Sequence, residues 1–400
     1  MTNNNCAPGH TGQNNGGLDE PSASERPLVS VVMPARDEEL TIGECIAGIQ
    51  ALFARNNIKG EIIVSDSSTD RTAEIASALG ATVVHPAKLG YGFAYLEGFR
   101  YVKSDSIVMM DADGTYDPSD IIRMVKILKN GTDLVIGSRF KGTIYHDSMT
   151  PLHRYIGNPL LTWILNAVFH THYSDAHSGY RAITVEALKS LELKSGGMEF
   201  ASEMLIMASK KGLIIEEIPI TYYRRVSPSK LHSFADGWRH LRFVLLMDPL
   251  PFLTIPGLLF AVLGLFLMAI FYISGNIETS HLNSFILGAV LLIGGIQLFF
   301  LGVTTKVYSM VHGYGEQSGL TKKFLDYHSL EKFLIVGGVL IIGGALLGVS
   351  VIYEWISANF GVISQVSTSV VALSLIIIGM QWVFCSIFIS MMLLNDGEIN

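Results

Sequence analysis

Ser106-Ile-Val-Met-Met-Asp-Ala-Asp-Gly-Thr115 is the stretch on which the fold turns. A short apolar run closed by a polar turn is the pattern of a strand buried on both faces, as in the middle of a parallel sheet. Asp111 and Asp113 fall directly after that strand, at the carboxyl end where sheets of this kind bind their ligands. Two carboxylates so close repel one another unless a cation sits between them. Hard oxygen ligands suit Mg²⁺ or Mn²⁺, with substrate phosphates completing the shell. A lone Asp-x-Asp is ordinarily a solvated turn. Here Gly114 follows it and Asp117-Pro118 opens the next helix, which favours a functional site.

Outward from this strand, apolar runs alternate with helix-like stretches. The strands are 29–33, 61–64, 81–84, 106–110 and 133–136; the helices are 41–55, 71–79, a segment near 92–102 and one near 118–129. This alternation predicts an α/β domain with a mainly parallel sheet covered on both faces. Three polar segments then sit at strand ends: Pro34-Ala-Arg-Asp-Glu38, Ser65-Asp-Ser-Ser-Thr-Asp70 and Asp111-Ala-Asp113. The first lacks Gly-x-Gly-x-x-Gly, which argues against a dinucleotide cofactor. In the second, Asp70 or Thr69 is placed to cap the following helix, while Asp66, at the strand end, is free to accept hydrogen bonds from a nucleobase. Glu38 is either a helix-start acid or a base contact.

The rest of the chain is of a different kind. Of 400 residues 49% are hydrophobic and 16% charged, and the apolar excess lies in the last third, so a soluble part is joined to a membrane part. A net charge of −7 argues against a nucleic-acid partner. Cys6, Cys45 and Cys385 are too scattered for a disulfide framework or a metal cluster. Residues 1–26, rich in Asn, Gly, Ser and Pro, read as a disordered tail, and no signal peptide is expected behind Met1. The expected division is 27–235 for the α/β domain, 236–249 for an interfacial helix and 250–394 for a membrane domain. Four uncharged runs, about 250–275, 283–305, 333–353 and 368–394, each approach the ~20 residues that span a ~30 Å hydrocarbon core. The connections 274–282 and 354–359 hold no Lys or Arg, whereas 306–332 carries Lys306, Lys322, Lys323 and Lys332. The positive-inside rule therefore predicts a multi-pass cell-membrane protein with its catalytic domain and both termini in the cytoplasm. Trp238, Leu241 and Leu245 share a helical face beside Arg239 and Arg242, as in a helix lying at the interface, although a domain-packing helix has the same pattern. Leu160–Phe169 is too short to span and is either core or a second surface-lying segment. His170-Thr-His172 and His177 lack zinc-site spacing.

Val31-Val-Met-Pro-Ala-Arg-Asp-Glu38, Val64-Ser-Asp-Ser-Ser-Thr-Asp70, Met110-Asp-Ala-Asp-Gly-Thr115, Gly137-Ser-Arg-Phe140 and Ser178-Gly-Tyr-Arg181 occur in this order within residues 28–247. Together they resemble family 2 glycosyltransferases, and within them the dolichyl- or polyprenyl-phosphate mannose and glucose synthases. The resemblance implies a GT-A fold and one-step, inverting transfer of a hexose from a nucleotide sugar, such as UDP-glucose or GDP-mannose, to dolichyl or undecaprenyl phosphate. It implies that Pro34, Arg36, Glu38 and Asp66 face the nucleoside. Asp111, Ala112 and Asp113 would face ribose, diphosphate and metal, and Arg139 and Arg181 the acceptor phosphate or donor diphosphate, with Asp113, Arg139 and Arg181 as the catalytic set. Mannose synthases of this group often carry Gln two residues after the second Asp. This chain has Thr115, a shorter oxygen ligand, as the third candidate for the metal.

That chemistry needs no general base, because a phosphomonoester is ionised at neutral pH and is itself the nucleophile. It needs cations to hold two phosphate groups together, and a metal with Arg139, Arg181, Arg224, Arg225 and Lys230 meets the need. The run Tyr222–Lys230 lies just before the expected interfacial helix, where it could equally anchor anionic lipid. Glu199 and Glu203 are structural or sugar-orienting. Two alternatives remain: a membrane glycosyltransferase with a hydroxyl acceptor, although the Gln-x-x-Arg-Trp motif of processive synthases is missing and Gln381-Trp382 does not replace it, and a non-catalytic scaffold. The sequence leaves open the donor sugar and whether the chain forms a homo-oligomer.

Overall fold

The structure, a computed structural model, describes residues 27–226, 233–274, 281–314, 327–361 and 365–394. The expected tail 1–26, the part of the lysine-bearing connection around Lys322 and Lys323, and Lys230 lie outside the described residues. The chain divides into two compact units. The first takes residues up to Thr150 with Ser178–Phe200 and Met207–Ser229; the second takes Pro151–His177, Ala201–Ile206 and the residues from Lys230 onward.

A seven-stranded sheet organises the first unit, with strands β1 (Val29–Ala35), β2 (Gly60–Asp66), β3 (Thr82–Val84), β4 (Ser106–Met109), β5 (Leu134–Ile144), β6 (Arg181–Thr184) and β7 (Ile215–Tyr222) in the order β3-β2-β1-β4-β6-β5-β7. All pairings are parallel except those of β6, which runs against both β4 and β5. Consecutive residues Val31 and Val32 are both fully buried, so β1 is covered on both faces. Helix α1 (Ile42–Arg55) buries Ile42, Cys45, Ile46, Ile49 and Phe53, one stripe at helical spacing. Each large apolar side chain buried in this way stabilises the domain by about 1.5–3 kcal/mol. Helices α2 (Thr72–Ala78), α3 (Tyr91–Phe99) and α4 (Asp120–Lys129) complete the crossovers of this half, followed later by α6 (Val185–Leu191).

The antiparallel strand fixes the geometry of the site. In the register, Met109 faces Arg181 across β4 and β6, and Ile136 faces Arg181 across β5 and β6. Reversal of β6 thus brings the turn before Arg181 to the same sheet end as the residues that leave β4. The carboxyl ends of β1 and β2 lie alongside, with Ala35 opposite Asp66.

The second unit is helical. Helix α5 (Asn158–Phe169) buries only Thr162 and Leu165 and turns Leu160 and Trp163 outward, so most of this stretch is not core. Helix α7 (Phe200–Lys210) is shared between the units, and α8 (Ser233–Met247), on which Trp238 is exposed, belongs to the second. Then come α9 (Ile255–Ser274), α10 (Leu282–Val311), α11 (Tyr327–Ser357) and α12 (Val366–Leu394). Leu250–Ile273, Leu282–Val311, Glu331–Ser357 and Val366–Leu393 are each long and apolar enough to cross a membrane. Their outward surfaces are apolar, as lipid solvent requires. Glycine contacts set the close pairing. A Cβ on Gly264 would lie 2.3 Å from the Leu292 nitrogen of α10, and one on Gly344 2.7 Å from the Ala372 oxygen of α12. Small residues at such positions let helix backbones touch where no hydrophobic force draws them together.

Candidate donor site at the end of the central strands

The two aspartates are held by different neighbours. Asp113 is buried, and its Oδ1 accepts from the Thr115 hydroxyl at 2.6 Å and the Thr115 amide at 3.1 Å. Thr115, the third candidate for the metal, is fully buried and donates both of these bonds, so it orients Asp113. Between the aspartates, the Ala112 carbonyl accepts the Thr41 hydroxyl at 2.8 Å, which ties the turn to the start of α1. Asp111 is half-buried, and its Oδ1 accepts from Tyr91 Oη at 3.1 Å. Gly179 completes that wall, since a Cβ there would lie 2.6 Å from Asp111 Oδ2 and 2.7 Å from Tyr91 Oη.

The cations sit at unequal depths. Arg225, just past β7, places Nη2 at 2.5 Å from Glu38 Oε1 and Nε at 3.5 Å from Asp113 Oδ2. Arg139 is buried, with its guanidinium 5.3 Å from the Tyr222 ring centroid. Arg181 is 1% exposed and donates from Nε to the Ser178 carbonyl at 2.9 Å, so it braces the Ser178-Gly179 turn from beneath. Arg224 is exposed.

The nucleoside candidates are mostly engaged with one another. Asp66 is buried and accepts from the Ser68 hydroxyl at 2.5 Å, with His85 Nδ1 3.9 Å away. The Glu38 carbonyl receives the amides of Thr41 and Ile42, so its backbone starts α1 while its carboxylate pairs with Arg225. Asp70, expected as the helix cap, lies one residue before the N-cap of α2, which is Arg71, and accepts the Thr72 amide at 3.0 Å and the Thr72 hydroxyl. Arg36 is exposed and Pro34 half-buried beside them. Asp37, with φ 50°, links the two loops by accepting the Thr69 amide at 2.8 Å and donating its own to Ser68 Oγ at 2.7 Å.

The sequence model of glycosyl transferase family 2 matches residues 30–191, and that of the family 2 C-terminal transmembrane region matches residues 303–393. The low-salt glycan biosynthesis hexosyltransferase Agl6 of Haloferax volcanii is 39% identical over 364 residues, covering 90% of this chain and 88% of its own. The chain belongs to glycosyltransferase family 2. Other relatives are the dolichyl-phosphate hexose transferase of the same organism, 32% identical over 52% of this chain and 89% of its own, and the dolichol-phosphate mannosyltransferase of Mycosarcoma maydis, 26% identical over 62% and 88%. The crystal structure of glucosyl-3-phosphoglycerate synthase from Mycobacterium tuberculosis with phosphoglyceric acid aligns over 56% of this chain and 79% of its own, at TM-score 0.44 and 26% identity. This family 2 enzyme thus joins a GT-A-like domain to a multi-pass membrane region.

Within the glycosyltransferase domain, electrostatics set the acidic pair apart. Burial first, and the charge of Asp113 second, push the Asp111 carboxyl up to about 7, while the Tyr91 hydroxyl, Arg225 and Arg139 pull against them. Burial pushes the neighbouring Cys45 thiol up to about 12, so it is packing rather than a nucleophile. Among the described residues no three of His, Cys, Asp and Glu form a metal cluster. Two carboxylates with phosphate oxygens are, however, the usual holding of Mg²⁺. Tyr91 is a residue of this site that sequence reasoning does not single out, whereas Gly179 lies within the quoted motif Ser178-Gly-Tyr-Arg181 without a role of its own. Gly90-Tyr91-Gly92 is the signal for Tyr91, since a Cβ on Gly92 would lie 2.0 Å from the Ser195 carbonyl and side chains there are excluded.

Proposed function

We propose that this enzyme moves a hexose from a nucleotide sugar to a polyprenyl phosphate, with inversion, at the cytoplasmic face of the cell membrane. The observation that carries the proposal is the Asp111–Asp113 pair beside Arg139 and Arg225: two carboxylates short of positive charge, next to guanidiniums suited to phosphate. The names of the relatives that act on dolichyl phosphate support the acceptor.

The donor chemistry fits a divalent ion. Burial and then the charge of Asp113 push the Asp111 carboxyl up to about 7 against the pull of Tyr91, Arg225 and Arg139, and hard oxygen donors suit Mg²⁺ or Mn²⁺. When bound, the ion would supply charge neutralisation for the leaving diphosphate. Asp111 and Asp113 would hold it; Thr115 keeps Asp113 turned toward it, and Tyr91 does the same for Asp111. An acceptor phosphate oxygen attacks the anomeric carbon, the bond from that carbon to the diphosphate oxygen breaks, and its electron pair leaves with the nucleoside diphosphate. The nucleophile arrives ionised, so no side chain takes a proton from it. Arg139 and Arg225 draw the two anions into line. Pro34, Arg36, Asp66 and the loop bound by Asp37 form the nucleoside side, while Arg224, followed in the sequence by Lys230, adds positive charge for the acceptor phosphate. Exposed Trp163 and Trp238, with Arg239 and Arg242, fit helices that lie at a lipid surface. The lysines of residues 306–332 support a cytoplasmic catalytic domain by the positive-inside rule.

The test is to incubate the purified protein in detergent with polyprenyl phosphate, Mn²⁺ and a panel of labelled nucleotide sugars, then extract the lipid. Label should enter the lipid fraction from one donor or a few, and not when free polyprenol replaces the phosphate. Equal labelling of the free alcohol would sink the assignment of a phosphate acceptor.

A further inference from the structure

Arg225 has two posts that it cannot hold at once. By its place in the chain it is suited to an acceptor phosphate, yet in the structure its guanidinium is committed to Glu38 and Asp113. Nε faces Asp113 Oδ2 at 3.5 Å, is buried, and makes no hydrogen bond, so charge alone holds that end of the side chain over the carboxylate. The backbone around it is fixed. Tyr222 bridges to Tyr116, and the Tyr223 amide donates to the Thr115 carbonyl at 2.9 Å, which locks the end of β7 to the turn that carries Asp113. A change of partner for Arg225 therefore needs only rotation of a long side chain, with no movement of the strand.

We propose that Arg225 is a placeholder cation of the donor site, expelled from Asp113 when a divalent ion binds there and thereby released to the acceptor phosphate. The inference rests on the proposed metal-dependent transfer and adds an order to it. A divalent ion on Asp113 and a guanidinium 3.5 Å from the same carboxylate are like charges partly shielded from water, and they repel strongly. Binding of the ion thus makes Arg225 leave Asp113, and an anion arriving later competes with Glu38 alone for the guanidinium rather than with two carboxylates. Donor before acceptor is the consequence. An acceptor phosphate bound first would lack one of its cations, so the lipid is not held in an unproductive complex. Glu38 acquires a role as well: it keeps Arg225 tethered close to the site rather than dispersed in solvent.

The experiment measures Mn²⁺ affinity by titration calorimetry on the full-length protein in detergent, without nucleotide. Wild type is compared with Arg225→Ala and with Arg225→Gln, which keeps a donor for Glu38. Arg100→Ala is the control, since it removes the same unit charge from an exposed pair with Glu97. Both Arg225 variants should bind Mn²⁺ about tenfold tighter or more than wild type, and Arg100→Ala should match wild type. A second arm uses farnesyl phosphate as the anion. Mn²⁺ with UDP should strengthen its binding to wild type and leave that to Arg225→Gln unchanged. Equal or weaker Mn²⁺ affinity in both Arg225 variants would overturn the inference, as would equal strengthening of farnesyl phosphate binding in wild type and variant. Failure of the underlying metal assignment has a different signature, namely Mn²⁺ binding that survives unaltered in Asp113→Asn.

Discussion

Replacing Tyr91 by Phe removes one oxygen atom and tests how the acidic turn is poised. From the first turn of α3, Tyr91 Oη donates to Asp111 Oδ1 at 3.1 Å. The Asp111 carboxyl is pushed up to about 7 by burial and then by Asp113, and the Tyr91 hydrogen bond is among the forces that keep it from rising further. A hydrogen bond to a charged acceptor contributes about 1.5–3 kcal/mol, and a tenfold change in ionisation about 1.4 kcal/mol. Tyr91→Phe should therefore lift the midpoint by about 1–2 pH units. An ion binds the ionised form, so wild-type Mn²⁺ affinity should rise with pH and level off above about 7, with a proton expelled on binding below that pH. In the variant the rise should continue to about pH 8–9, leaving it about 5–50-fold weaker at pH 7 and nearly equal above about pH 9.5. Calorimetry across that range, in two buffers of different ionisation heat, reads both the affinity and the protons released. A uniform loss at every pH, with the midpoint unmoved, would refute the electrostatic role and leave Tyr91 as packing.

Three further outcomes follow from the same geometry. Gly179→Ala drives a Cβ into Asp111 Oδ2 and Tyr91 Oη, so turnover should fall about 100-fold, while overpacking lowers stability by about 1–3 kcal/mol in a thermal melt. Asp111→Asn should stabilise the metal-free protein at pH 8 by up to about 4 kcal/mol and have little effect at pH 4. The sign follows from a folded-state carboxyl raised from 3.8 to about 7, which makes the native aspartate lose stability as pH rises between those values. A melt that shows equal effects at both pH values would contradict it. Arg181→Met leaves the Ser178 carbonyl without its buried donor and should cost about 2–4 kcal/mol in denaturant unfolding, more than it changes nucleotide affinity.

The parallel half of the sheet was legible because each of its strands is a short apolar run, and Val31, Val64 and Val108 are as buried as that pattern implies. β6 and β7 were not. β6 is four residues long and opens on Arg181, a charge that only tertiary burial accommodates. β7 reads Ile-Glu-Glu-Ile-Pro-Ile-Thr-Tyr; it lies at the edge of the sheet, where proline is tolerated because one side lacks a partner strand. The position of Asp111 and Asp113 followed from the strand before them. Their partners are distant in sequence: Arg225 approaches from β7, Gly179 from the turn that reverses into β6, and Tyr91 looks like one more core aromatic. The hydrogen bond from the Thr115 hydroxyl to Asp113 was likewise not legible, because residue type gives an oxygen atom and not the partner it turns to.

The central claim concerns which atom of the lipid accepts the sugar, and ³¹P NMR of the purified product reads that atom directly. Transfer to the phosphate should convert the phosphomonoester signal of the polyprenyl phosphate into a phosphodiester signal, in step with nucleoside diphosphate release and not in Asp113→Ala. A glycosylated lipid that keeps its monoester signal, or sugar transfer undiminished in Asp113→Ala, would contradict the account.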